Sequence, residues 1–177
     1  MQPTAVAEPF HRAGWVYEEK YDGWRMVAYK HGREVSLVSR NGRDHSERFP
    51  DLAAAIAALP AHTLILDGEV CVLDGEVCVF DADLVSQFHL LGEPQPDDVA
   101  TPPMYMAFDL LYLEGLGLRA RPLAERRWRL ERAIDGSAHV LPSRRLPRPR
   151  PRGLGSREAA RYEGLVAKDA TSRRKTR

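Results

Sequence analysis

The stretch EEKYDGWR, Glu18 to Arg25, sets one lysine, Lys20, beside an acid and a glycine, with an arginine five residues further on. The chain holds 26 Lys+Arg, yet only Lys20, Lys30, Lys168 and Lys175 are lysines. Positive charge is otherwise left to arginine, whose guanidinium is never deprotonated, whereas an amine can be. A lysine kept in such a setting points to nucleophilic chemistry; the alternative is a strand edge with a solvated Lys–Asp pair. An amine attacks phosphorus or carbonyl carbon only as the free base, so the ordinary lysine pKa of about 10.4 must come down. Burial and a nearby divalent cation lower it, and an adjacent carboxylate opposes them. A working site therefore needs carboxylates that hold metal rather than pair with the lysine, and further cations to neutralise a triphosphate. The candidates are Glu69 or Glu76, Glu163, Arg25, Arg40 and Lys168, with Phe108 as an aromatic face for a base. Mg²⁺ suits such a set, because carboxylates are its usual ligands and phosphoryl transfer needs charge neutralised.

The elements that must position these residues follow from local pattern. Residues 1–14 are an entry segment broken by Pro3, Pro9 and Gly14. Trp15 to Lys20, Trp24 to Lys30 and Val35 to Arg40 are rich in Val, Tyr and Trp, and turns at Asp22-Gly23 and His31-Gly32 separate them. They predict an antiparallel meander with Lys20 at a strand end facing a cleft. PDLAAAIAAL predicts a short helix, with Pro50 in its first turn and Pro60 as its stop. Thr63 to Leu66 starts a strand leading into DGEVCV, which occurs twice, from Asp67 and from Asp74, as a hairpin or a local duplication. Residues 81–103 read as a connecting excursion, and Met104 to Leu113 as a strand buried on both faces. PLAERRWRLERAI predicts an amphipathic helix with Leu123, Trp128, Leu130 and Ile134 inward and arginines covering the rest. Residues 143–157, rich in Arg and Pro, are expected to be disordered or loop, or else a basic arm for phosphates. YEGLVAKDA then resumes strand character.

With 177 residues, 44% hydrophobic and 29% charged, the chain suits one globular domain spanning 1–177. No apolar run approaches the roughly 18 residues of a membrane span. Its first residues lack the basic-then-apolar pattern of a signal peptide, and two cysteines are too few for a disulfide scaffold, so a cytoplasmic location is expected. The net charge of +1 hides a division: 8 Lys+Arg against 19 Asp+Glu up to Leu118, and 18 against 6 from Arg119 onward. A basic half of this kind either meets a polyanion or balances acidic faces within one fold.

EEKYDGWR resembles the first motif, ExKxDGxR, of the covalent nucleotidyltransferases, which include ATP-dependent DNA ligases, RNA ligases and mRNA capping enzymes. SRNG, LDGE, FDLLYLEG and EGLVAK follow in the family's order. The SRNG and FDLLYLEG wording and the PLxxRRxxLE helix are most similar to bacterial ATP-dependent DNA ligases, over roughly Pro9 to Asp169. The resemblance implies an α+β fold, antiparallel sheets packed with a few helices around a nucleotide cleft: the ATP-grasp-like nucleotidyltransferase domain of DNA ligases. It implies that Lys20 attacks the α-phosphate of ATP to become lysyl-AMP, that AMP passes to a DNA 5′-phosphate, and that the 3′-hydroxyl seals the nick in repair or recombination. By the same resemblance Glu18 bonds the adenine amino group, Phe108 stacks on adenine, and Arg25 and Arg40 lie near ribose and the phosphates or nick. The DGE acid touches ribose or metal, Lys168 contacts phosphate, and Glu163 supports Mg²⁺. The implied partners are ATP and nicked duplex DNA, with no membrane, for a monomer.

Two departures stand out. The doubled DGEVCV leaves Glu69 and Glu76 as alternatives for the DGE acid; Glu69 follows the expected upstream strand and is preferred. The Arg/Pro run stands where such ligases carry a helix, and after EGLVAK there is neither the WxKxK strand nor an OB-fold domain. The chain thus resembles a C-terminally truncated adenylation domain. The alternatives are an impaired remnant that binds ATP or DNA without turnover, and an RNA ligase or capping-type enzyme. If residues from Arg119 onward contact DNA, affinity should fall roughly a thousandfold between about 50 and 200 mM salt for about six phosphate contacts. A flat response in a salt-titrated binding assay would exclude that contact.

Overall fold

A computed structural model of the chain describes residues 4–6, 10, 12–71, 73–74, 85–86, 102–146 and 164–174. Glu76, Glu163, nearly all of the excursion at 81–103 and residues 147–157 of the Arg/Pro run lie outside them. The order is β1 (Trp15–Glu19), β2 (Trp24–His31), β3 (Glu34–Ser39), α1 (Pro50–Ala57), β4 (Thr63–Cys71), β5 (Leu73–Asp74) and β6 (Val85–Ser86). It continues with β7 (Met104–Leu113), β8 (Leu116–Gly117), α2 (Leu123–Ala133), β9 (Val140–Pro142) and β10 (Leu165–Asp169).

The main sheet runs β3-β2-β4-β7-β8. β9 pairs parallel with β7 at residues 105–107, while β8 pairs with its other end. Alternation along β2 and β4 sends Met26, Ala28, Leu64, Leu66 and Val70 into a core completed by Leu52 and Ile56 of α1 and Leu130 of α2, with Ile134 at its C-terminus. The opposite phase carries Arg25, Asp67 and Glu69. The sheet is thus a platform with helices packed on one side and charge on the other, the α+β architecture the chain was expected to adopt.

Two sequence expectations need correction. The meander holds only for β2 and β3, joined through Gly32 at φ 59°. β1 does not pair with β2; it pairs antiparallel with β10, placing Glu18 opposite Val166 and Val16 opposite Lys168. The Asp22-Gly23 step is a passage from that ribbon to the main sheet, so tight that a Cβ on Gly23 would stand 2.4 Å from the Val70 carbonyl oxygen. A local turn signal cannot report that the true partner comes about 150 residues later. The inner side of α2 is also different. Trp128 is 55% exposed, stacked under the Arg132 guanidinium, while Arg126 and Arg127 are buried. Both arginines are inside because carboxylates and carbonyls wait for them there, as described below. Lys30 ties β2 to the end of α1: its buried Nζ donates to the Leu59 and Ala61 carbonyls, at 2.6 and 2.5 Å.

The first turn of α2 has no side-chain cap at Pro122. Its free amides are satisfied from the segment after β10 instead: Leu123 N–H donates to the Ser172 carbonyl and Ala124 N–H to that of Ala170, each at 2.9 Å. The ribbon is thereby tied to the helix. Gly68 lets β4 and β7 approach, since a Cβ there would stand 2.6 Å from the Tyr105 ring, whose hydroxyl donates to the Met26 or Leu66 carbonyl. Gly68→Ala should therefore destabilise the fold by about 1–3 kcal/mol, as overpacking does. A urea midpoint unchanged from the parent would contradict it.

Candidate active site

Lys20 follows directly on β1. Its amide donates to the Gly164 carbonyl at 2.9 Å, and Gly164 is bare enough for the lysine stem to lie against it, 3.6 Å from where a Cβ would be. Period two puts Glu18 on the same side of the strand as Lys20. Glu18 is 1% exposed, and its Oε2 accepts hydrogen bonds from Lys168 Nζ at 2.5 Å and from Ser143 Oγ at 2.7 Å. Burial pulls the Lys168 ammonium below its ordinary pKa, against the opposing charge of Glu18.

Phe108 owes its position to a β-bulge. In the β4–β7 ladder Asp67 pairs with Asp109 and Gly68 with Ala107, so Phe108 is the extra residue on β7. Its half-buried ring lies between two cations, the Lys168 ammonium at 4.8 Å and the Arg25 guanidinium at 5.4 Å from its centroid. Arg25 forks onto Asp67, with Nε to Oδ1 at 3.0 Å and Nη2 to Oδ2 at 2.8 Å. Across the ladder Arg25 stands opposite Glu69. Burial lifts the Glu69 carboxyl to about 7, against the pull of Arg25 and Lys20 and with the push of Asp67 and Asp22.

Glu18, Lys20, Arg25, Glu69, Phe108 and Lys168 thus form one connected group where the ribbon meets the charged face of the sheet. Arg40 does not join it. It is exposed just past β3, without a described contact to the others. No group of three His, Cys, Asp or Glu suited to a metal occurs among the described residues.

Residues that sequence reasoning passed over hold this group in place. Asp67 and Asp109, both buried, are joined by Arg174, whose Nη2 donates to Asp67 Oδ2 and whose Nε donates to Asp109 Oδ2 at 2.9 Å. Arg126 forks onto Asp109 at 2.7 and 3.1 Å. Burial pushes the Asp67 carboxyl up, but the Arg25 hydrogen bond and the charges of Arg174 and Arg25 hold it below the usual carboxylate range. The readable signal was two aspartates inside otherwise apolar strands, which demand buried cations. Arg126, Arg127 and Arg174 answer part of that arginine-rich half.

A family model described as ATP dependent DNA ligase domain matches residues 2–176. The chain belongs to this family. It is 35% identical over 161 residues to DNA ligase C of Mycobacterium tuberculosis, covering 86% of this chain and 44% of that one. It is 38% identical over 133 residues to the multifunctional non-homologous end joining protein LigD of Pseudomonas aeruginosa, covering 75% of this chain and 15% of that one. Among solved structures, a mycobacterial DNA ligase D complexed with ATP and MES superposes with a TM-score of 0.69 at 30% identity, over 90% of this chain and 49% of that one. The chain spans less than half the length of each of these relatives.

On the other side of β1 from Lys20, Glu19 is 5% exposed, and burial raises its carboxyl from 4.5 to about 7 against the Arg144 charge and hydrogen bonding with Tyr21. Between those values the folded chain binds this proton more tightly than the unfolded chain. Stability contributed here is therefore lost as pH rises through that window, and Glu69 acts with the same sign. The melting temperature should fall between about pH 5 and pH 8, and less so in Glu19→Gln. Parallel pH profiles for the two proteins would rule out this linkage.

Proposed function

We propose that this chain is the adenylating part of an ATP-dependent DNA ligase. The observation that carries the reading is the convergence of Lys20, Glu18, Arg25, Glu69, Phe108 and Lys168 in one connected group, in a chain of the ligase family. The donor set suits ATP: an aromatic face between two cations, a carboxylate that can accept from an amino group, and an amine beside them. In the reaction a bond forms between Lys20 Nζ and the α-phosphorus, the bond to the bridging oxygen breaks, and pyrophosphate leaves as the amine gives up a proton. AMP is then passed to a DNA 5′-phosphate, and attack by the 3′-hydroxyl joins the strands and expels AMP. This serves DNA repair and recombination in the cytoplasm, the chain acting as a monomer on nicked duplex.

Each residue has a stated part. Phe108 stacks on adenine, Glu18 accepts from its amino group, and Arg25 holds ribose and phosphates. Lys168 contacts phosphate and Arg40, exposed at the rim, meets the nick. Glu69 fits Mg²⁺ as well as ribose, because it is a carboxyl beside Lys20 with Asp22 close enough to raise its pKa. Mg²⁺ needs few protein ligands when phosphates and water complete its shell, and Glu163 is the second acid proposed for it. When bound, the cation neutralises charge developing on the phosphates. Arginines of the basic half neutralise the DNA backbone.

Incubation with α-phosphate-labelled ATP and Mg²⁺, then denaturation, should leave label on the protein. Lys20→Ala should carry none, and Phe108→Ala should slow labelling about tenfold or more through lost stacking. An unlabelled wild-type chain with intact circular dichroism would refute the adenylation reading.

A further inference from the structure

The buried carboxylate of Glu18 has one oxygen in use and one idle. Oε2 takes both described hydrogen bonds, from Lys168 and Ser143, while Oε1 is buried without a partner. Facing it at 3.8 Å is Arg127 Nε, buried and likewise without a hydrogen-bond partner. The rest of the Arg127 guanidinium is committed. Nη1 donates to the Ala107 carbonyl at 3.2 Å and to Ser143 Oγ at 2.7 Å, and Nη2 donates to the Ser143 carbonyl at 2.8 Å. The Ser143 hydroxyl accepts from Arg127 and donates to Glu18, so it bridges the two.

The two cations on Glu18 therefore differ in kind. Arg127, 1% exposed, is pinned by two backbone carbonyls and a hydroxyl. Lys168 ends a flexible stem, and its ammonium also lies over Phe108, on the side where the nucleotide is placed. A lysine that leaves Glu18 for a nucleotide strands a buried anion unless another cation remains beside it. We propose that Arg127, with Ser143 as its bridge, is that fixed counter-charge and a positioning residue for Glu18. It aims the carboxylate at the base and frees Lys168 for the nucleotide. The inference rests on the reading of this cleft as an ATP site.

The test is equilibrium binding of ATP and GTP to the full chain carrying Lys20→Ala, which cannot be labelled, alone and with Ser143→Ala or Arg127→Lys. Ser143→Ala removes one hydroxyl and guards against a failure of Arg127→Lys to fold. Both should weaken ATP binding about tenfold and narrow the ATP-to-GTP preference by a similar factor, because hydrogen bonds to a charged group are lost at the base end alone. An equal loss for both nucleotides, together with a lower melting temperature, would mark a purely structural role and overturn the inference. So would unchanged affinities in both variants. If the Lys20→Ala parent binds no nucleotide and the wild-type chain takes no label, the ATP reading itself falls, and this inference with it. A parent that binds ATP beside indifferent variants defeats the inference alone.

Discussion

A carboxylate with 1% of its surface exposed has to be met by positive charge and hydrogen bonds from the protein, and Glu18 obtains them from three separate places. β1 supplies the acid, β10 the lysine, the residue after β9 the hydroxyl, and α2 the guanidinium behind it. β1 lies at the opposite end of the chain from the other three elements. Bringing them together fixes where the ribbon sits on the sheet, and the ribbon in turn fixes Lys20. Lys20 is placed by the needs of the residue two positions before it.

A second charged chain, Arg25–Asp67–Arg174–Asp109–Arg126, runs beneath the first. Its members pair in forks wherever geometry allows, the arrangement in which guanidinium and carboxylate match best. Removing Asp109 would leave the buried Arg126 without its carboxylate, which costs far more than the net worth of the pair. The chain also explains why arginine stands at two positions of the basic half, Arg126 and Arg174. Lysine offers a point charge, and these aspartates are held by planar donors that must each satisfy two acceptors.

Much of this was legible in the residues. Lys20, Glu18, Arg25, Glu69, Phe108 and Lys168 lie together, and β7 has the bounds that the apolar run Met104 to Leu113 suggested. α1 begins at Pro50, where the first-turn proline placed it. What stayed hidden was long-range. The Asp22-Gly23 turn looks local and is not, because strand pairing is decided by partners rather than turns. The bulge at Phe108 leaves no mark in the run MYMAFDLLYL, which reads as one uninterrupted strand. α2 misled because hydropathy assigns arginine to the surface, whereas Arg126 and Arg127 are drawn inward by buried acceptors and Trp128 is turned out.

The pairing of β1 with β10 also orders events in time. Glu18 and Lys168 are 150 residues apart, whereas β2, β3 and β4 are close neighbours along the chain. The cost of closing a loop must be met before a distant contact can repay it, so the local strands assemble first. On the ribosome, at about 5–20 residues per second, β1 waits several seconds or more with its edge unpaired until β10 emerges. The strand that leads into Lys20 is among the first made and the last to be seated, and a chain released before β10 would hold Lys20 on an open edge.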